Sequence, residues 1–151
     1  MLRRTMRILA ALSVILLLQS GCAQFRSGPQ TGEGSPVVRE QLMKTTRSWD
    51  GALLPAYPKG QPEITILRIT IPAGALLNTH RHPVINAGVL ISGRLTVVTT
   101  EGKKLHLKAG DPIIEVVDTL HYGINEGNDP AEILVFYAGV VDTPTTVAEP
   151  R

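Results

Sequence analysis

From Glu63 onward the chain is built of short apolar runs rich in Ile, Val, Leu and Thr, each closed by Gly, Pro, Asn, Asp or Ser. Such punctuation predicts strands rather than helices. The expected strands cover residues 64–71, 75–82, 86–91 and 94–100, with Pro72-Ala73-Gly74 and Ser92-Gly93 among the breaks. Glu101-Gly102-Lys103-Lys104 reads as a hairpin tip, and residues 105–108 return from it. There Leu105 and Leu107 alternate with Lys104, His106 and Lys108, the period-two pattern of a half-buried strand. Ala109-Gly110-Asp111 turns the chain into a strand over 113–117, and strands over 121–125 and 132–138 follow, parted by Gly127-Asn128-Asp129-Pro130. The tail after Gly139, rich in Thr, Pro and Val, is expected to wrap over the domain or to fray. No long helix is indicated. The pattern is that of an all-β sandwich or barrel, and a jelly roll closes most of its edges around an interior able to hold a site.

The N-terminal part differs. Residues 51–62 carry Pro55, Pro58, Gly60 and Pro62 and read as loop. Residues 37–49 suit either a short helix or an opening strand. Residues 23–36 are polar and rich in Gly, Ser, Pro and Gln, a composition that buries no core and predicts a flexible tether. Ahead of them, Arg3, Arg4 and Arg7 precede an 11-residue apolar run, 8–18, broken only by Ser13. A spanning helix needs about 20 apolar residues, so the run suits an export signal better than a membrane span. It ends in Leu18-Gln19-Ser20-Gly21-Cys22, which resembles a bacterial lipobox, with Gln19 where Leu is usual. The resemblance implies cleavage before Cys22 and lipidation of its sulfur. With Ala23 rather than Asp next, it implies a periplasm-facing protein of the outer rather than the inner membrane. A plain secretory peptide with an incidental cysteine is the alternative. The expected organisation is a signal peptide over 1–21, a lipid-anchored tether over 22–36 and one domain over 37–151. Cys22 is the single cysteine, so no intrachain disulfide forms.

Charge narrows the partners. The sequence pI of 8.9 reflects the leader. Without its three arginines, 12 of the 15 basic residues face 13 acidic ones, a net of −1. With aromatics at 4%, such a domain has neither the charge nor the stacking surface for nucleic acid. No Gly-x-Ser-x-Gly elbow, P-loop, dinucleotide-binding glycine pattern or Cys-x-x-Cys pair is present.

Candidate chemistry centres on histidine. His80 and His82 stand two apart on an expected strand, on one face and about 7 Å apart along it. His121 follows a later turn, and Asn86 lies on the next strand. Glu115 interrupts the apolar run 113–117; it reads either as a general base or replacement metal ligand, or as an outward residue paired with a cross-strand cation. Trp49, Tyr57, Tyr122 and Phe136 are candidates for a pocket wall, with plain core or lid packing the simpler role. His106 is expected at the surface, and Arg81, between the two histidines, is expected to face the other way.

Gly74-x5-His80-x-His82-x3-Asn86-x6-Gly93 resembles the first motif of the cupin superfamily, and Gly110-x5-Val116-x-Asp118-x2-His121-x3-Asn125 resembles the second. Asn86 stands where the first motif usually has Glu; Val116 and Asp118 stand where the second usually has Pro and Gly. The resemblance, over roughly residues 63–137, is to small single-domain bacterial cupins and implies a single cupin (jelly-roll) β-barrel. It implies a divalent transition metal held by His80, His82 and His121, with Asn86 a weak fourth ligand. Imidazole ligands suit Fe(II), the favoured metal, and also Zn, Ni or Cu. The implied activity is that of a three-His oxidoreductase of dioxygenase type acting on a small molecule, with Glu115 the candidate catalytic residue. A non-catalytic cupin lipoprotein binding a metal or small ligand is the alternative, and a homodimer is the implied assembly.

Overall fold

The computed structural model describes residues 36–149. The expected signal peptide, the lipidation site Cys22 and all but the last residue of the tether lie outside them. Among the described residues nine strands follow one another: β1 (Pro62–Ile71), β2 (His80–Arg81), β3 (Ile85–Ser92), β4 (Arg94–Thr99), β5 (Lys104–Lys108), β6 (Pro112–Ile114), β7 (His121–Ile124), β8 (Ala131–Val140) and β9 (Val147–Ala148). No helix occurs among the described residues, so none there is long and apolar enough to cross a membrane. Residues 39–149 lie in one compact unit.

The strands form two sheets, ordered β1-β8-β3-β6 and β5-β4-β7-β2-β9, with every strand pair antiparallel. Strand β8 shows why they face each other. Ala131, Ile133, Val135 and Tyr137 are buried, while the residues between them are more open. Period-two alternation sends the first set inward, where they meet Leu90 of β3, Ile113 of β6 and Leu95 and Val97 of β4. The core is therefore the space between the sheets, and the site occupies one part of it.

Three local features depart from the pattern expected along the chain. The strand expected over 75–82 narrows to His80–Arg81, though Leu77 N–H donating to Gly123 O at 2.9 Å keeps this segment beside β7. The strand expected over 113–117 stops at Ile114. Glu115 N–H still donates to Asn86 O at 3.2 Å, and Asp118, at φ 54°, turns the chain away. Residues 37–49 form neither a helix nor a named strand; only Arg47 bridges Leu53, and Trp49 N–H donates to Ile114 O. The tail wraps rather than frays: β9 pairs with β2 along the edge of the sheet.

The last residue of the second motif is a structural tie. Asn125 is fully buried. Its Nδ2 group donates to the carbonyls of Ile71, Pro72 and Asp129 at 3.0, 3.1 and 2.9 Å, and its Oδ1 accepts from Gly127 N–H at 3.0 Å. It thus joins the end of β1 to the turn before β8. Asn125→Ala would strand these backbone groups and is expected to cost about 3 kcal/mol. Urea denaturation measures this, and an unchanged midpoint would refute the assigned role.

Candidate metal centre

Three imidazoles converge between the sheets by separate routes. His80, on β2, sits directly opposite His121, which opens β7. His82 lies just past β2 and bridges Val117. The ring centroids are 4.9 Å apart for His80 and His82, 4.5 Å for His80 and His121, and 5.0 Å for His82 and His121. One ligand nitrogen from each lies within 4.8 Å of the other two.

Hydrogen bonding settles which nitrogen is free. His80 Nδ1 lies 2.8 Å from Asn78 O, His82 Nδ1 2.8 Å from Thr145 O and His121 Nδ1 2.8 Å from Thr119 O. A carbonyl oxygen only accepts, so each Nδ1 is the protonated nitrogen and each Nε2 keeps its lone pair. Such outer partners fix tautomer and ring orientation and raise ligand basicity. Burial lowers the pKa of all three rings, His82 to about 4, and neighbouring imidazoles lower His80 and His82 further; the carbonyl contacts oppose the shift. The rings are neutral at neutral pH, the form that binds metal.

They open onto a cavity of about 110 Å³. Ile69, Ile71, Leu77, Leu95, Val97, Ile133 and Val135 make its apolar walls; Asn86, Glu115, Tyr137 and Thr146 add polar atoms, and among the described residues no Lys or Arg lines it. Tyr137 stands edge-on to His82 at 5.5 Å. Asn86 is 1% exposed, and neither its Oδ1 nor its Nδ2 has a hydrogen-bond partner. Glu115 is 8% exposed; its Oε2 lacks a hydrogen-bond partner and lies 3.8 Å from His121 Nε2. Burial pushes the Glu115 pKa up to about 7, against the opposing pull of the nearby Trp49 indole, His80 and Val116 N–H. The indole N–H of Trp49 stands near enough to favour the carboxylate as a donor, outside strict hydrogen-bond geometry. Three convergent lone pairs beside unpartnered buried oxygens fit a divalent cation.

The raised pKa has a consequence for the metal-stripped protein. Below pH 4.5 Glu115 is neutral folded and unfolded. Between pH 4.5 and about 7 the folded chain holds a proton that the unfolded chain releases, so this group's contribution to stability falls as pH rises. Above that window its cost levels off at about 3 kcal/mol. Glu115→Gln should therefore gain stability relative to wild type between pH 4.5 and about 7 and hold that gain above it. Denaturant titrations at each pH test this, and a flat difference would reject it.

Residues 67–137 match the family model described as "Cupin domain". The barrel has the cupin jelly-roll fold. Solved structures agree on this fold. The chain is similar to the DMSP lyase from Ruegeria pomeroyi, with a TM-score of 0.50 and 20% identity over 56% of this chain and 42% of that one. It is similar to one chain from the crystal structures of the DMSP lyases RdDddP and RnDddQII, with a TM-score of 0.51 and 17% identity over 58% of this chain and 44% of that one. It is also similar to an oxalate decarboxylase from Lactobacillus farciminis in a formate complex, with a TM-score of 0.50 and 20% identity over 56% of this chain and 26% of that one. The chain spans less than half the length of these proteins. No curated protein matches the sequence.

The structure brings His80, His82, His121, Asn86 and Glu115 to one cavity. For Glu115 it decides between the two orientations: the side chain points inward, with no cross-strand cation. The candidate wall aromatics do not line this cavity. Trp49 packs against the core, Tyr57 and Phe136 are exposed and Tyr122 is half-buried. The wall is instead Tyr137, one residue along from Phe136. Alternation with Ile133 and Val135 could have found it. Thr146, which has no such signal, arrives with the tail. Arg81 turns away to pair with Asp118. His106 is exposed and meets Thr96 Oγ1 at 2.9 Å.

Proposed function

We propose that this cupin is a metal-dependent oxidoreductase of dioxygenase type acting on a small, neutral molecule. The observation that carries the reading is the convergence of three Nε2 lone pairs on a mainly apolar cavity. His80, His82 and His121 would hold the cation, with Fe(II) favoured and Zn, Ni or Cu also suited to imidazole. When bound, the ion supplies Lewis acidity and open positions for substrate and dioxygen.

The remaining chemistry belongs to the chain. The carbonyls of Asn78, Thr145 and Thr119 hold the rings in one tautomer. The aliphatic walls lower the local polarity, which strengthens the electrostatics inside. Asn86 offers both a donor and an acceptor to a small ligand. The part of a ligand seated beside the three rings is of roughly the dimensions of benzene, which fills an apolar cavity of about 150 Å³. The absence of Lys and Arg from the lining disfavours a dianion such as oxalate, the substrate named for one structural relative.

The test is oxygen uptake by anaerobically metal-loaded protein offered a panel of small neutral substrates. Uptake that requires both metal and substrate, and is absent in His82→Ala, is the expected result. Ligand-induced thermal stabilisation without turnover would instead mark a non-catalytic binding module. The basic leader and Cys22 support a further reading, in which the domain is displayed in the envelope on a lipid anchor. Metabolic labelling with a fatty acid should then mark wild type and spare Cys22→Ala. Exposed Ile64, Ile66 and Phe136 on one sheet face support a homodimer, which a monomer mass by light scattering would reject.

A further inference from the structure

We propose that Glu115 is the anionic ligand of the three-His centre, supplying from beside β6 the negative charge that Asn86 on β3 cannot. The inference rests on the metal reading above and assigns the charge balance of that same site.

Charge makes the first case. Three neutral imidazoles leave a divalent cation fully uncompensated in a cavity walled by Ile, Leu and Val, where unpaired charge is costly. Asn86 reaches the cavity, but an amide oxygen offsets no charge. Among the described residues that line the cavity, Glu115 is the only acidic one, and no lysine or arginine is among them to compete for it.

Placement makes the second. Ala87 pairs with Ile114 across β3 and β6, and Glu115 N–H donates to Asn86 O one step further along. Asn86 and Glu115 are thus cross-strand neighbours with both side chains in the same cavity. A carboxylate beside β6 reaches the region that the Asn86 amide faces.

The third is a buried pair that, among the described residues, lacks a completed hydrogen bond between or to its facing atoms. Thr119 O takes the Nδ1 proton of His121, so His121 Nε2 presents a lone pair. Glu115 Oε2 stands 3.8 Å from that nitrogen with no hydrogen-bond donor of its own. Two lone-pair-bearing atoms facing each other in a buried site call for a positive centre between them. Ligand atoms at about 2.1 Å from a tetrahedral ion stand about 3.4 Å apart, so a small rotation of the carboxylate brings Oε2 into range.

Cobalt(II) titration of metal-stripped protein, followed by calorimetry and by the visible ligand-field spectrum, tests this without any activity assay. Wild type should bind one ion per chain. Glu115→Gln, of nearly the same shape, should bind at least tenfold more weakly with an altered spectrum. Adding Asn86→Glu to Glu115→Gln should recover most of the affinity, because it returns a carboxylate to the neighbouring position. Asn86→Ala alone should change affinity less than threefold. Wild-type affinity and spectrum in Glu115→Gln would overturn the assignment while leaving the three-His centre standing, as would a double variant no better than the single one. Failure of wild type to bind cobalt would sink the metal reading itself.

Discussion

Gly93→Ala is expected to destabilise the fold more than any other single methyl added at a turn, by about 3 kcal/mol or more. Gly93 closes the first motif between β3 and β4 with φ at +76°, in the left-handed region that penalises side chains by roughly 1–2 kcal/mol. Space adds to the strain. A Cβ there would lie 2.7 Å from Ala131 Cα and 2.8 Å from Pro130 O, both backbone atoms at the start of β8. Neither can swing aside as a flexible side chain could, and β8 is the strand between β1 and β3. Gly110→Ala is the matched control. Its φ is +92°, yet nothing lies within 4 Å of the added methyl, so about 1 kcal/mol is expected. Equal urea midpoints for the two variants would show that crowding against β8 is not what holds Gly93 in place.

His121→Ala should lower divalent-metal affinity at least about a thousandfold, beyond the tenfold to hundredfold typical of losing an outer-sphere partner. It removes one of three convergent nitrogens and the one nearest Glu115. At a metal concentration near one hundred times its dissociation constant, wild type should gain about 2.7 kcal/mol of stability. The variant should gain none under the same conditions. His106→Ala provides the contrast, since that ring is exposed and stands on the far strand β5. Calorimetric titration and elemental analysis make the comparison. Retention of stoichiometric metal by His121→Ala would remove this ring from the site.

Much of the barrel was visible in local pattern. Period-two alternation and Gly or Pro punctuation depend on residues a few positions apart, so β1, β3, β4, β5 and β8 fall close to where the run of side chains placed them. The three histidines were legible because two stand at strand spacing and the third occupies a fixed place in a motif. Residues 75–82 misled, because their apolar content comes from packing against β7 rather than from a continuous ladder.

Glu115 was ambiguous because residues 113–117 are otherwise uniformly apolar, which erases the alternation that would set its direction. Its phase is set by Asn86 and Ile114, through pairing between strands far apart in the chain. The same holds for His82, whose tautomer depends on Thr145, 63 residues away on the returning tail. Residue type and spacing were enough to say which side chains could bind a cation and that they lie on strands. Which nitrogen faces inward, which carboxylate stands beside it and what walls enclose them followed only from folding, because each depends on contacts between segments that the linear order keeps apart.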